Sequence, residues 1–144
     1  MANDARQSLV DGLNEDLAHE YQAIISYLLY SRLVNGALRP ELSAFFEREI
    51  DDELEHAKLL SRKIVALGGE PTTRPAAVRL SEDNRAMVEM ALQDERDTIA
   101  RYTRRIEQAE EAGEVGLRVE LENVVAEETK HRDDLERILS RWSR

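Results

Sequence analysis

The chain has 144 residues, a length that suits one domain with its own hydrophobic core and leaves little room for two. Its 30 acidic residues outnumber its 20 basic residues, and the net charge of -10 opposes binding to nucleic acid, where Lys and Arg neutralise phosphates. No cysteine is present, which excludes disulfides, thiol catalysis, iron–sulfur clusters and cysteine-ligated zinc. Any metal ion would therefore be held by carboxylates and imidazoles.

Neither the beginning nor the interior of the chain predicts export or membrane insertion. Residues 1–6 lack the apolar stretch of a secretory signal. No run of residues approaches the roughly 18 apolar residues of a membrane span. We therefore expect a cytoplasmic protein that does not bind a membrane.

Glycine and proline positions divide the chain into four predicted helices, which are rich in Ala, Leu, Glu and Arg. Pro40 opens the second helix, and Ser81 is the predicted N-cap of the third. Glycines follow the ends of the first three helices. The predicted helices span residues 8–34, 40–67, 81–113 and 115–142.

Only the middle connection, at residues 68–80, is long. It could reach roughly 43 Å at ~3.3 Å per residue, which is comparable with the ~38 Å length of a 25-residue helix. The connection can therefore return along the whole bundle, which would invert the second hairpin relative to the first. We predict an all-α, four-helix bundle in a single domain, with helical hairpins at 8–67 and 81–142 joined by this crossover.

The most informative pattern is a repeat in which residue 20 corresponds to 95, 53 to 128 and 56 to 131, an offset of 75. Two of the three histidines follow this offset, each three residues after a glutamate. Tyr27 and Tyr102 obey it as well. Two copies of a helical hairpin would each supply half of a metal site. The candidate ligands are Glu20, Glu53 and His56 in the first half and Glu95, Glu128 and His131 in the second.

One glutamate of each predicted helix occupies a position in the apolar stripe, and no Lys or Arg shares these stripes. An uncompensated buried ion costs several kcal/mol, so four would consume most of a typical domain stability of about 5 to 15 kcal/mol. Two divalent cations would balance the four carboxylates, and two neutral imidazoles would complete the site. Because carboxylates bridge two metals more readily than imidazoles, we expect Glu53 and Glu128 as bridges and the glutamates of the first and third helices as terminal ligands.

Two acidic residues are placed to orient the imidazoles. Asp52 lies four residues before His56, and Glu127 lies four residues before His131. Each is expected to accept the free ring N–H of the histidine on its own helix, as outer partners of metal-bound histidines commonly do.

Three further residues have alternative interpretations. Tyr27 and Tyr102, each seven residues after the glutamate of its own helix, either hydrogen-bond a ligand carboxylate or fill the core with a hydroxyl that finds another acceptor. His19 has no partner at the ligand spacing, and we expect a surface histidine there.

The segments at 52–57, Asp-Glu-Leu-Glu-His-Ala, and at 127–131, Glu-Glu-Thr-Lys-His, resemble ferritin-like di-iron carboxylate proteins of the bacterioferritin and rubrerythrin branch. The resemblance extends along nearly the whole chain. It implies a ferritin-like four-helix bundle that oxidises Fe(II) with O2 or H2O2. It also implies two iron ions per chain on the six candidate ligands.

Departures from the two families refine this expectation. Bacterioferritins bind haem through a methionine at the position of Leu54, so no haem is expected. Rubrerythrins carry a further carboxylate where Thr98 stands and a rubredoxin domain that this sequence lacks, although tyrosines in both halves are more rubrerythrin-like. Only 13 residues follow His131, which weakens the case for the fifth helix of 24-subunit cages. We expect a homo-oligomer, either a dimer or a 12-subunit cage.

Our preferred function is therefore a ferroxidase that acts in iron handling or protection from oxidative stress. The same residues leave a rubrerythrin-like peroxide reductase, an iron-storage cage subunit and a di-manganese protein open, since sites rich in oxygen ligands with two histidines accept either metal. A DNA-condensing protein is disfavoured by the negative charge and by the lack of a lysine-rich tail.

Overall fold

The computed structural model describes residues 2–142, and within that range the regular elements are all helical. The four helices are α1 (Ala2–Leu33), α2 (Arg39–Ala66), α3 (Asn84–Glu111) and α4 (Val115–Ser140). This is the all-α four-helix bundle that the sequence predicts. The main difference in length is that α1 begins six residues before the predicted start.

Turns between the helices form where the sequence places glycine. Gly36 after α1 has a φ of 73° and Gly68 after α2 has a φ of 85°, a left-handed conformation that other residues rarely adopt. The predicted N-cap of α3 is wrong. Asp83, in an extended conformation, accepts a hydrogen bond from the backbone N–H of Ala86 at 2.9 Å, whereas Ser81 accepts one from the N–H of Asp83 and lies outside the helix.

The long crossover returns along α1, as predicted. Near its beginning, the Thr72 N–H donates to the side chain of Asn14 at 2.8 Å, and further on the Ala76 N–H donates to the Ala18 carbonyl at 2.9 Å. The carbonyl of Arg79 then accepts from the Tyr30 hydroxyl at 2.8 Å. The chain thus reaches the C-terminal end of α1 before α3 begins, which inverts the second hairpin relative to the first.

The hydrophobic core has two parts on either side of the middle of the bundle. One part packs the first half of α1 against the second half of α2, with residues such as Leu13, Leu17 and Leu60. The other packs the opposite ends of the helices and includes Tyr30, Phe46, Met87 and Leu135. Polar residues occupy the layer between the two parts. In the part of the chain that the structure describes, no helix is long and apolar enough to cross a membrane.

Candidate metal centre

The four helices bring all six candidate ligands into the layer between the two halves of the core. Both α1 and α3 contribute one glutamate, whereas α2 and α4 each contribute a glutamate and, three residues later, a histidine. Residues three apart on a helix share one face, which directs each Glu–His pair inward. All six are almost completely buried, with exposed fractions between 1% and 5%: Glu20, Glu53, His56, Glu95, Glu128 and His131.

Distances around the two imidazoles are nearly equivalent. His56 Nδ1 lies 3.7 Å from Glu53 Oε2 and 3.3 Å from Glu128 Oε1. His131 Nδ1 lies 3.5 Å from Glu53 Oε1 and 3.4 Å from Glu128 Oε1. Each imidazole also faces one further carboxylate, Glu20 at 3.7 Å from His56 and Glu95 at 3.6 Å from His131. Two glutamates therefore approach both histidines and two approach only one, the arrangement expected of bridging and terminal ligands.

The spacing of the donor atoms suits binding to a shared metal ion better than hydrogen bonding among the side chains. Two atoms that are each about 2.1 Å from a common ion lie about 3.0 to 3.5 Å apart, close to the separations at the two imidazoles. Within the described residues, one buried side-chain atom of each candidate ligand has no hydrogen-bond partner, which would be costly unless an ion satisfies it. These atoms are Glu20 Oε2, Glu53 Oε1, His56 Nδ1, Glu95 Oε2, Glu128 Oε1 and His131 Nδ1.

Without a cation, this cluster retains protons. Burial, followed by the charge of Glu53, raises the pKa of Glu20 to about 8, and burial followed by the charge of Glu95 raises the pKa of Glu128 to about 7. For His56, burial lowers the pKa, but hydrogen bonds to the surrounding carboxylates outweigh it and raise the pKa far above its usual value. A metal ion that binds here must displace protons.

Two buried tyrosines hold the terminal carboxylates from the opposite hairpin. The Tyr27 hydroxyl donates to Glu95 Oε1 at 2.5 Å, and the Tyr102 hydroxyl donates to Glu20 Oε1 at 2.7 Å. Burial, reinforced by these carboxylates, raises the pKa of both tyrosines, so they remain protonated donors. The hydrogen bond of each tyrosine to a candidate ligand is thus present, and it joins the two hairpins.

Both acids that were predicted to contact the histidines do so, but the predicted pairing is wrong. Glu127 Oε2 lies 2.7 Å from His56 Nε2, and Asp52 Oδ2 lies 2.9 Å from His131 Nε2. Each acid therefore contacts the histidine of the other helix. The reason is that Nδ1 faces the site, which turns Nε2 away from its own helix and toward the neighbouring one.

Glu49, a further buried carboxylate beside the six candidate ligands, was not predicted from the sequence. It is 6% exposed, and its Oε2 lies 2.8 Å from His131 Nε2, the same atom that contacts Asp52. Glu49, Asp52 and His131 form a third group of closely spaced ligand atoms. A signal was available, because Glu49 lies four residues before Glu53 and so shares the ligand face of α2.

A buried ion cluster beside Glu20 was missed as well. Arg105 donates to Asp16 twice, from Nε at 2.7 Å and from Nη2 at 3.0 Å, and both residues are buried. Arg101 is also buried, with its Nε 3.9 Å from Asp16 Oδ1. Gly12 makes room for this cluster, since a Cβ atom there would lie 1.9 Å from Arg105 Nη1. We define Asp16, Arg101 and Arg105 as the ion cluster.

His19 is half-buried rather than on the surface, which corrects the sequence-based expectation. Burial and the charge of Arg101 lower its pKa. It lines a narrow cavity that also reaches Glu20 and Glu95 and is edged by Thr98 and Asp94.

Known proteins resemble this chain in sequence. The family model for the ferritin-like domain matches residues 10–144. Bacterioferritin BfrA of Mycobacterium tuberculosis is 34% identical over 125 residues, which cover 86% of this chain and 79% of that protein. Bacterioferritin of Streptomyces coelicolor is 30% identical over 129 residues, covering 89% and 77%.

Solved structures resemble this chain in fold as well. A ferritin-like, diiron-carboxylate protein from Bacillus anthracis has a TM-score of 0.92 and 48% identity, covering 94% of this chain and 97% of that one. Bacterioferritin from Desulfovibrio desulfuricans, described with a diiron site, has a TM-score of 0.87 and 27% identity, covering 97% and 82%. Dps from Thermosynechococcus elongatus, with a TM-score of 0.87 and 21% identity over 96% and 94%, shares the fold.

Proposed function

This chain belongs to the ferritin-like domain family, and on that premise we propose that it is a binuclear non-haem iron protein that oxidises Fe(II) with O2 or H2O2. The proposal rests on the six buried ligands, each with an atom lacking a hydrogen-bond partner among the described residues, that converge between the two halves of the core. The diiron descriptions of two solved relatives support iron as the metal.

Charge and ligand number both favour two ions per chain. Four carboxylates balance two divalent cations, and the two imidazoles add no charge. One ion would be held by Glu20 and His56, the other by Glu95 and His131, with the glutamates of α2 and α4 between them. Two Fe(II) ions supply the two electrons that reduce H2O2 to water or O2 to H2O2. Manganese fits the same ligands, since oxygen ligands and imidazoles suit both metals.

The protein itself contributes orientation and protection from water. Tyr27 and Tyr102 fix the terminal carboxylates by hydrogen bonds from the opposite hairpin. Glu127 and Asp52 each contact an imidazole at Nε2, which keeps the proton on that nitrogen and presents Nδ1 to the metal. The narrow cavity beside His19 reaches Glu20 and Glu95, and we expect a small oxidant to approach the centre there.

We further propose a cytoplasmic homo-oligomer, a dimer or a 12-subunit cage, without haem. Large hydrophobic side chains are exposed on the single chain, among them Leu28 at 40%, Leu54 at 42% and Val65 at 62%, and we expect subunit contacts to cover some of them. Particle mass from light scattering distinguishes a dimer from a cage. A cage that retains mineralised iron would indicate storage in addition to oxidation.

Stopped-flow spectroscopy tests the activity. Metal-free protein is loaded anaerobically with two Fe(II) per chain and mixed with O2 or H2O2, while Fe(III) formation is followed by absorbance. We expect rapid oxidation in the wild type and in Leu54→Met, and its loss in Glu53→Ala. Equal rates in Glu53→Ala and the wild type would refute the proposal. Comparison of the two oxidants separates an oxidase from a peroxide reductase, and metal analysis of protein purified without added metal separates iron from manganese.

A further inference from the structure

Among the residues that the structure describes, the offset of 75 pairs a charged residue with a neutral one at four buried positions around the centre. Three of these positions form the ion cluster. Their equivalents in the other half are neutral and also buried: Asp16 corresponds to Ala91, Arg101 to Ser26 and Arg105 to Tyr30. The fourth is Glu49, which corresponds to Val124.

The ion cluster lies on the side of Glu20. Asp16 is one helical turn before Glu20 on α1, and Arg101 directly precedes Tyr102, whose hydroxyl donates to Glu20. Arg105 donates to Asp16 twice, and its Nη2 also lies 3.8 Å from Oε2 of the exposed Glu15, whereas Arg101 lies 3.9 Å from Asp16 and donates to the neutral Thr98 hydroxyl at 2.9 Å. Among the buried groups, one carboxylate faces two guanidinium groups, a net charge of +1, because the charge of Glu15 lies at the surface, where water screens it.

Glu49 lies on the side of His131 and adds a negative charge. Its Oε2 and Asp52 Oδ2 both approach His131 Nε2, which has only one proton to share between them. Beside His56, Glu127 contacts Nε2, and the position that corresponds to Glu49 is occupied by the neutral Val124. The acids that contact the two imidazoles, Asp52 and Glu127, carry the same charge and do not distinguish the halves.

Both departures act in the same direction, since one makes the Glu20–His56 side more positive and the other makes the Glu95–His131 side more negative. Charges that are buried close to a metal ion are weakly screened. We propose that the two metal positions are unequal, and that the Glu95–His131 position binds divalent cations more tightly and fills first. This inference rests on the proposed function, because it assumes that the six ligands bind two ions.

The expected difference is at least about tenfold in affinity, in the range by which outer contacts alter metal binding. Arg101 and Glu49 are thus positioning residues that act through charge. Because oxidation draws one electron from each Fe(II), ordered filling would make the Glu20–His56 position the one that completes the reactive pair.

Zinc provides a redox-inert probe of this order. Crystals of metal-free protein are prepared with one Zn(II) per chain, and anomalous diffraction measures the occupancy of each position separately. Arg101→Gln and Glu49→Gln each remove one distinguishing charge, while Arg101→Lys and Glu49→Asp retain it as matched controls. Neither Arg101→Gln nor Glu49→Gln breaks the pair between Asp16 and Arg105.

In the wild type we expect zinc mainly at the Glu95–His131 position. Each neutralising substitution should bring the occupancy ratio closer to one, and the controls should keep the wild-type ratio. Saturation with excess Zn(II) should still reach two ions per chain. A merely structural defect would instead lower both occupancies together. Equal or reversed occupancy in the wild type, or a ratio that neither neutralising substitution lowers, would overturn the inference while leaving the binuclear site intact. Zinc at neither position would overturn the proposed function itself.

Discussion

Neutralising one buried carboxylate should stabilise the metal-free protein and destabilise the metal-bound one. Burial raises the pKa of Glu20 in the folded protein to about 8, against an ordinary value of 4.5. The folded protein therefore binds more protons than the unfolded chain, and its stability falls as pH rises from about 4.5 to about 8. A difference of about 3.5 pH units corresponds to at most about 5 kcal/mol, at 1.36 kcal/mol per unit.

Glu20→Gln keeps the size of the side chain and an acceptor for Tyr102 but removes the charge. Water entry and rearrangement reduce the full electrostatic cost, so at pH 8 we expect a gain of about 2 kcal/mol in the unfolding free energy of the metal-free protein. For a chain of about this length, that gain raises the melting temperature by about 4 to 8 °C. With Zn(II) at 100 times the dissociation constant, the wild type gains about 2.7 kcal/mol per site, and the variant should gain less because a ligand charge is lost.

Thermal unfolding followed by circular dichroism, with a chelator and with Zn(II), measures both effects at pH 8. Glu107→Gln on the exposed face of α3 serves as the control and should change stability by less than about 0.5 kcal/mol. A metal-free Glu20→Gln variant that melts at or below the wild-type temperature would show that this carboxylate is not destabilised by burial, and would refute the electrostatic reasoning.

Three further predictions concern binding, protons and the ion cluster. Titration of metal-free protein with Mn(II) should saturate near two ions per chain and raise the melting temperature; Glu53→Ala should lose most of this rise, whereas Leu54→Met should keep it. Calorimetry in buffers of different ionisation enthalpy should detect protons released on binding, with affinity increasing from pH 6 to 8 as Glu20 loses its proton; pH-independent affinity would contradict this. Arg105→Ala should cost about 3 to 5 kcal/mol in chemical denaturation because Asp16 is left unpaired and buried, and Asp16→Leu combined with Arg105→Met should recover most of that loss.

The sequence by itself determined the helices and the candidate ligands. Glycine and proline mark helix ends through local backbone conformation, which does not depend on distant contacts. The offset of 75 and the spacing of three between Glu53 and His56 are equally local, since they state which residues share a face of one helix. For this reason the four-helix bundle and the six residues in its central layer could be predicted, and the charge of four carboxylates could be matched to two cations.

Only the tertiary structure decided which side chains on different helices meet. Spacing along α2 predicted that Asp52 contacts His56, yet the packing of α2 against α4 brings Asp52 into contact with His131 instead. The ion cluster likewise joins Asp16 of α1 to Arg105 of α3, which are 89 positions apart and follow no common period. Helical periodicity fixes the face on which a residue lies, but the partner across the interface depends on how far the helices slide and rotate against each other, and that is set by the packing of the whole core.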